Sequence, residues 1–166
     1  MYDWTKFDIH LLINSPRKDV FERWVCNWGL ESFFVKQATT IDSQGQARNS
    51  RDAFKEGDQY KWDWFFNYQN TGKILKVIQD DCIEFTFGTC TVQVELKSFE
   101  SSTLLHLRQS GIRSNEEDMV NVHLDCRCGW IYFLTNLKAV LEGNVDVRDK
   151  NPETSRSLEI GYVPPI

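Results

Sequence analysis

The chain predicts an α+β domain in which a curved antiparallel sheet wraps one long C-terminal helix. Three observations carry this expectation. Apolar residues alternate with polar ones in successive short segments between residues 60 and 110, separated by turn residues. One long helical pattern follows, from Ser114 to Gly143, and two short helical patterns stand directly behind the first strand.

The first strand spans Trp4 to Ile13, with Phe7, Ile9, Leu11 and Ile13 on one face. Ser15-Pro16 then reads as an N-cap followed by proline at the first helical position. Val20, Phe21 and Trp24 recur at helical spacing, and Leu30 to Phe34 forms a second short helix beyond Asn27-Trp28-Gly29. Asp42 to Asp58 is rich in Ser, Gln, Asn, Arg and Gly and predicts an irregular loop around a weak strand, with little to bury. Tyr60, Trp62, Trp64, Phe66 and Tyr68 share one face of an extended strand, which must meet apolar atoms. Ile74–Ile78, Ile83–Phe87, Val92–Leu96 and Leu105–Leu107 continue the alternation, with turns expected at Asn70-Thr71-Gly72, Asp80-Asp81, Gly88 and Glu100-Ser101-Ser102. Consecutive hairpins of this kind make an antiparallel meander.

Ser114-Asn115-Glu116-Glu117 has the form of a capping box, and Gly143 suits a helix C-terminus. The helix between them would be ~40 Å long at 1.5 Å per residue. Met119, His123, Cys126, Trp130, Phe133, Leu137 and Val140 fall on one stripe, flanked by Leu134 and Leu141. That stripe is expected to face the sheet. This connectivity suggests a helix-grip architecture, and a twisted sheet cannot close on a single helix along its whole length. A gap between helix, sheet and short helices is therefore where a ligand would lie.

Composition bounds the function. At 166 residues the chain suits one domain, placed at residues 1–148, with an extended tail over 149–166. Hydrophobic content of 41% with 26% charged residues is globular, and no apolar run approaches the roughly 20 residues a membrane-spanning helix needs. The N-terminus lacks the order of a secretory signal, and five cysteines without paired metal spacing fit reduced thiols, so a cytoplasmic protein is expected. The net charge of −5, without a basic cluster, argues against nucleic acid as a partner. No phosphate loop or nucleophile elbow occurs, and neither a cofactor nor a metal is expected.

Two stretches resemble a known family. Ile13-Asn14-Ser15-Pro16-Arg17-Lys18-Asp19-Val20-Phe21-Glu22-Arg23-Trp24 is similar to a strand, Asn-x-Pro, then a helix opening with Val-Phe and Trp. Gly129-Trp130-Ile131-Tyr132-Phe133-Leu134-Thr135-Asn136-Leu137-Lys138-Ala139-Val140-Leu141-Glu142-Gly143, followed by Asp146-Val147-Arg148, is similar to a C-terminal helix motif. Both resemble the activator of heat-shock protein 90 ATPase homologue-like proteins, within the START-like, polyketide-cyclase-like superfamily. The resemblance implies a helix-grip fold with an internal cavity. The chain departs from it near Asp42 to Gly57, where a Gly-Trp-Trp-type strand end is missing, and after Arg148.

For the cavity wall the sequence offers Tyr60, Trp62, Trp64, Phe66, Phe85, Phe87, Trp130 and Phe133, whose large rings give broad apolar contact, although for any one of them plain core packing is the readier reading. Gln109, His123, Cys126 and Tyr60 are the polar candidates. Gly129 costs the helix about 1 kcal/mol relative to alanine, so a neighbouring element or ligand is expected close to its backbone. His123 and Cys126 stand one turn apart, but no third orienting group or oxyanion site accompanies them. The leading expectation is a non-enzymatic protein binding a small hydrophobic ligand. A co-chaperone-like module with a chaperone partner and a cyclase or hydrolase using the same cavity are the rivals, and the long aromatic strands or the Pro-Pro tail offer a route to a homodimer.

Overall fold

The structure, a computed structural model, describes residues 2–151. The expected tail over 149–166 therefore falls mostly outside the described residues. β1 (Lys6–Ile13) leads to α1 (Arg17–Trp24) and α2 (Asn27–Phe33), then β2 (Gln37–Ile41), β3 (Gln59–Asp63), β4 (Gln69–Ile78), β5 (Cys82–Phe87), β6 (Cys90–Phe99) and β7 (Ser102–Ser110). A short α3 (Glu116–Asp118), a π-helical turn (Met119–Leu124) and α4 (Asp125–Gly143) follow and end the elements of the described residues. The strands form one antiparallel sheet in the order β1-β7-β6-β5-β4-β3-β2, so β1 closes the meander by pairing with the last strand. Alternation settles which face is inward: Val92, Val94, Leu96, Leu105 and Leu107 are buried with Phe7 and Ile13 under α1, α2 and α4. The helix-grip expectation is met.

Local differences have physical causes. Pro16 takes the cap position of α1 without a side-chain hydrogen bond, one residue later than the Ser15 cap expected. β2 is an unpredicted strand because its inward residues are Ala38 and Thr40, which leave no apolar alternation to read. Thr40 is fully buried and its hydroxyl donates to Asn27 Oδ1 at 2.8 Å, which satisfies the group that sequence reading would have placed in water. The 42–58 segment is irregular but buries more than expected: Phe54 is core, and Asp58 is held by two hydrogen bonds from the Arg48 guanidinium. A buried carboxylate is tolerated because it is paired.

The first hairpin turns earlier than expected. β3 ends at Asp63, and the chain folds back through Trp64–Tyr68, where Trp64 N donates to Tyr68 O at 3.1 Å. Asn70-Thr71-Gly72 is strand, opposite Trp62, Lys61 and Tyr60. Gly72 is there for space, since a Cβ would lie 2.5 Å from the Tyr60 ring and from Thr86 Oγ1. The single long helix is also interrupted. Asn115, not Ser114, caps α3 by accepting from Asp118 N at 2.8 Å, while Asp118 itself pairs with Arg113. At the other end Asn144, in the left-handed region at φ 52°, terminates α4 one residue beyond Gly143.

Candidate functional site

The interruption of the long helix, the early hairpin turn and the β5–β6 turn meet around one cavity of about 320 Å³. Its wall is built from four places. α2 ends on Phe34, the β3–β4 loop contributes Trp64, Phe65, Phe66 and Tyr68, the sheet contributes Phe87, Cys90 and Gln109, and the helix contributes Cys126, Gly129, Trp130 and Phe133. Tyr68, Gly88, Thr89 and Asn121 are exposed and form the mouth. The helix and the sheet diverge here because the twisted sheet turns away from a straight helix.

The aromatic side chains hold one another. Trp130 stacks on Phe34 with ring centroids 5.0 Å apart, and Phe34 meets Trp64 and Phe133 edge-on, each at 4.9 Å. Trp64 is fixed further by its Nε1, which donates to Asn70 Oδ1 at 2.9 Å. Gln109 is fully buried on β7, between Phe7 of β1 and Val92 of β6. Its Oε1 accepts from Trp130 Nε1 at 2.7 Å, which fixes the amide orientation, because an indole N–H can only donate. Gln109 Nε2 is buried without an oxygen acceptor, and hydrogen bonding to the Cys90 and Cys126 thiols, weak acceptors, is what its position allows.

Seven of the eleven sequence candidates thus line the cavity: Trp64, Phe66, Phe87, Gln109, Cys126, Trp130 and Phe133. The other four lie behind it. Tyr60 stacks on Trp62 at 3.8 Å and its hydroxyl donates to Thr86 O, while Phe85 packs in the same layer against Trp62 and Trp24. Burial pushes the Tyr60 phenol far above its usual range. His123 is turned toward the N-terminal segment, its ring nitrogens 3.0 Å from Trp4 O and 3.1 Å from the Tyr2 hydroxyl. The π-helical turn causes this: it displaces the stripe by part of a turn, so His123 and Cys126 do not point the same way.

Sequence reading missed Phe34, Phe65, Asn70, Val122 and Asp125 on the wall. The Trp64-Phe65-Phe66 run was the available signal, since three consecutive large rings cannot all sit on one face of a strand. Gly129 was noticed for the wrong reason. No heavy atom lies within 4 Å of a Cβ placed there, so nothing presses on its backbone, and the missing side chain adds to the cavity.

Charge is handled at the mouth. Arg148 is buried, and its guanidinium donates to Asp146, Val35 O and Glu31 O, tying the segment after α4 to the end of α2. Burial opposes ionisation of Asp146, but hydrogen bonds from Arg148 and Lys150 outweigh it and hold the carboxyl well below the usual range. Burial pushes the Cys126 thiol up to about 11, with Gln109 pulling weakly the other way. Cys126 is therefore a neutral thiol at physiological pH, a poor nucleophile. Among the described residues no group of three or more His, Cys, Asp or Glu is placed to hold a metal ion, and no helix is long and apolar enough to cross a membrane. The wall offers mainly aromatic surface.

Comparison with solved structures places this geometry among known folds. Protein SSP2350 from Staphylococcus saprophyticus superposes with a TM-score of 0.70 at 20% identity, covering 86% of this chain and 96% of that one. The Aha1 dimer from Colwellia psychrerythraea gives a TM-score of 0.63 at 16% identity, over 83% of this chain and 96% of that one. DynU16, a protein in the dynemicin biosynthetic locus, gives 0.69 at 15% identity, over 88% of this chain and 50% of that one. No curated protein matches the chain. The profile of the family described as Activator of Hsp90 ATPase homolog 1-like protein matches residues 14–142, from the turn before α1 to the last turn of α4. With most of its length accounted for in this way, and with the sheet and helices arranged as in the solved structures, the chain belongs to the Activator of Hsp90 ATPase homolog 1-like family.

Proposed function

We propose that this protein binds a small hydrophobic or amphipathic molecule in the cavity between sheet and α4, without transforming it. The observation that carries the reading is an aromatic cavity of about 320 Å³ between sheet and α4, open at the mouth formed by Tyr68, Gly88, Thr89 and Asn121. An empty apolar space forfeits dispersion contacts, which a ligand that fills it restores. Ligand sites commonly begin at about 300 Å³, which suits a small molecule here. The raised Cys126 pKa supports binding over nucleophilic chemistry.

Native mass spectrometry with a fatty-acid and aromatic-ligand panel, followed by thermal shift, tests this. A true ligand at 100 times its Kd stabilises the fold by about 2.7 kcal/mol. That shift should vanish in Gly129→Leu, whose side chain projects into the open space, while the variant remains folded. No adduct and no shift across the panel would sink the reading.

The family description supports a second reading, an interaction module acting on a chaperone of the heat-shock protein 90 type. Stimulation of such a chaperone's ATPase by the purified protein would establish it. The dimeric Colwellia neighbour supports a homodimer as well, which sedimentation equilibrium would detect.

A further inference from the structure

We propose that the cavity takes amphipathic cations, with an apolar body among its rings and an ammonium-type head on the Asp125 carboxylate, in preference to neutral or anionic molecules of the same shape. The inference rests on the binding reading above and adds the ligand's charge to it.

Helical periodicity places Asp125 for this role. Asn121, Asp125 and Gly129 follow one another at single-turn spacing along the cavity stripe, from the exposed mouth inward. Asp125 is half-buried between the other two. Helical side chains lean toward the N-terminus, so a side chain at 129 would lie over the turn that carries Asp125. Glycine leaves that place open, with no heavy atom within 4 Å of a Cβ built there. The carboxylate is thus left uncovered beside the cavity.

Helix capping does not explain an acidic residue at this position. A carboxylate at a helix start is favoured by free N–H groups, but α4 continues directly from the π-helical turn, and Asp125 N itself donates to Val120 O and Val122 O. Among the described residues no hydrogen bond or ion pair reaches the Asp125 carboxylate. Arg127, two residues on, is exposed and lies off the cavity stripe.

The remaining charges of the wall favour the same sign of ligand. Arg148 is the one cationic side chain among the described lining residues, and its donors are directed to Asp146, Val35 O and Glu31 O. Asp149, which accepts from Asn151 N, adds a second carboxylate to the wall. Opposite the helix, Trp64, Phe66 and Tyr68 stack in a row with centroids 5.9 and 6.2 Å apart, running from half-buried positions to the exposed mouth. A ligand body laid along that row brings its head to the mouth, where Asp125 stands one turn inside Asn121. A cation there meets a carboxylate partly shielded from water, which strengthens the pair. An anion meets like charge, with nothing to offset its lost hydration.

Three probes share one ring system: 2-(aminomethyl)naphthalene carries a cationic head, 2-(hydroxymethyl)naphthalene a neutral one and 2-naphthoate an anionic one. Titration calorimetry on the full chain at about pH 7 gives their dissociation constants. The amine should bind about fivefold more tightly than the alcohol, the return expected of one partly exposed ion pair, and at least about tenfold more tightly than naphthoate. Its advantage over the alcohol should shrink when salt is raised to about 0.5 M. In Asp125→Asn, which keeps the shape and removes the charge, the advantage should fall below about twofold while the alcohol's affinity is unchanged. Equal affinities of amine and alcohol, naphthoate binding as tightly as the amine, or an amine advantage that survives Asp125→Asn would each overturn the proposal and leave a binding cavity in place. Failure of all three probes to bind would overturn the binding reading and this inference with it. Should Asp125→Asn fail to fold, Gly129→Leu takes its place: loss of amine binding is expected, and its persistence would overturn the proposal.

Discussion

At the scale of single residues, two positions carry opposite lessons about polarity and space. Gly129 lies in the interior of α4 with open space where a Cβ would stand. Gly129→Ala should raise stability by about 1 kcal/mol, the difference in helix propensity, because no clash opposes it; urea denaturation checks this. A glycine there, despite its helical cost, fits a wall that needs the volume. Asp146 gathers hydrogen bonds from Arg148, Asn136 and Lys150 and has its folded-state pKa below the ordinary 3.8. A carboxyl depressed in this way contributes stability above its unfolded pKa and loses it as the pH falls through the folded value. Asp146→Asn should therefore cost about 1 kcal/mol at pH 7, modest because the group is partly exposed, and the gap to the unmodified protein should narrow progressively as the pH falls below about 5. Denaturation midpoints across that range read the sign directly. Asp146 and Arg148 stood in the quoted C-terminal motif, but their shared role was not legible, because the carbonyls of Glu31 and Val35 that complete it lie more than a hundred residues away.

At the scale of elements, close approach explains where the turns fall. Gly72 permits β4 to run beside β3 under the Tyr60 ring, and Gly29 permits α2 to cross α1, where a Cβ would lie 2.4 Å from Glu22 O. Gly72→Ala should destabilise by about 2 kcal/mol through overpacking, and Tyr60→Leu should recover part of that loss, so a double-mutant cycle would give a coupling of at least 0.5 kcal/mol. Additive losses in that cycle would show that the contact is not the cause. Read as a sequence, Asn70-Thr71-Gly72 has turn chemistry, and the strand that occupies it is decided by the residue across the ladder. The π-helical turn is a parallel case, since the capping and apolar spacing of 114–143 are those of an uninterrupted α-helix.

At the scale of the whole molecule, Trp130 joins the layers. Its ring lies against Phe34, which caps the C-terminus of α2, and Phe87 from β5, and its Nε1 satisfies Gln109 on β7. Trp130→Ala should cost about 3–5 kcal/mol, lowering the thermal midpoint by roughly 10 °C, because it leaves a void and orphans the Gln109 carbonyl. Calorimetry checks it. For the same reason this variant is a poor reporter of ligand binding, and filling the cavity at Gly129 is the cleaner perturbation.

The sequence by itself determined the fold: two-residue alternation from β4 to β7, turn residues at Asp80, Gly88 and Glu100, and the apolar stripe of α4 are all local patterns, and local periodicity is what a chain can state without knowing its partners. It also named most of the cavity's rings, because large aromatic residues on inward positions have few other places to go. Only the tertiary structure decided which of them face open space. Tyr60, Trp62 and Phe85 read the same as Trp64, Phe66 and Phe87, and they part company where β3 stops at Asp63 and the sheet twists away from the helix. His123 and Gln109 were both candidates as polar groups, and a π-helical turn sent one to the N-terminal segment while a hydrogen bond from Trp130 locked the other between sheet and helix. Whether a polar side chain is satisfied depends on groups distant in sequence, and no periodicity encodes that.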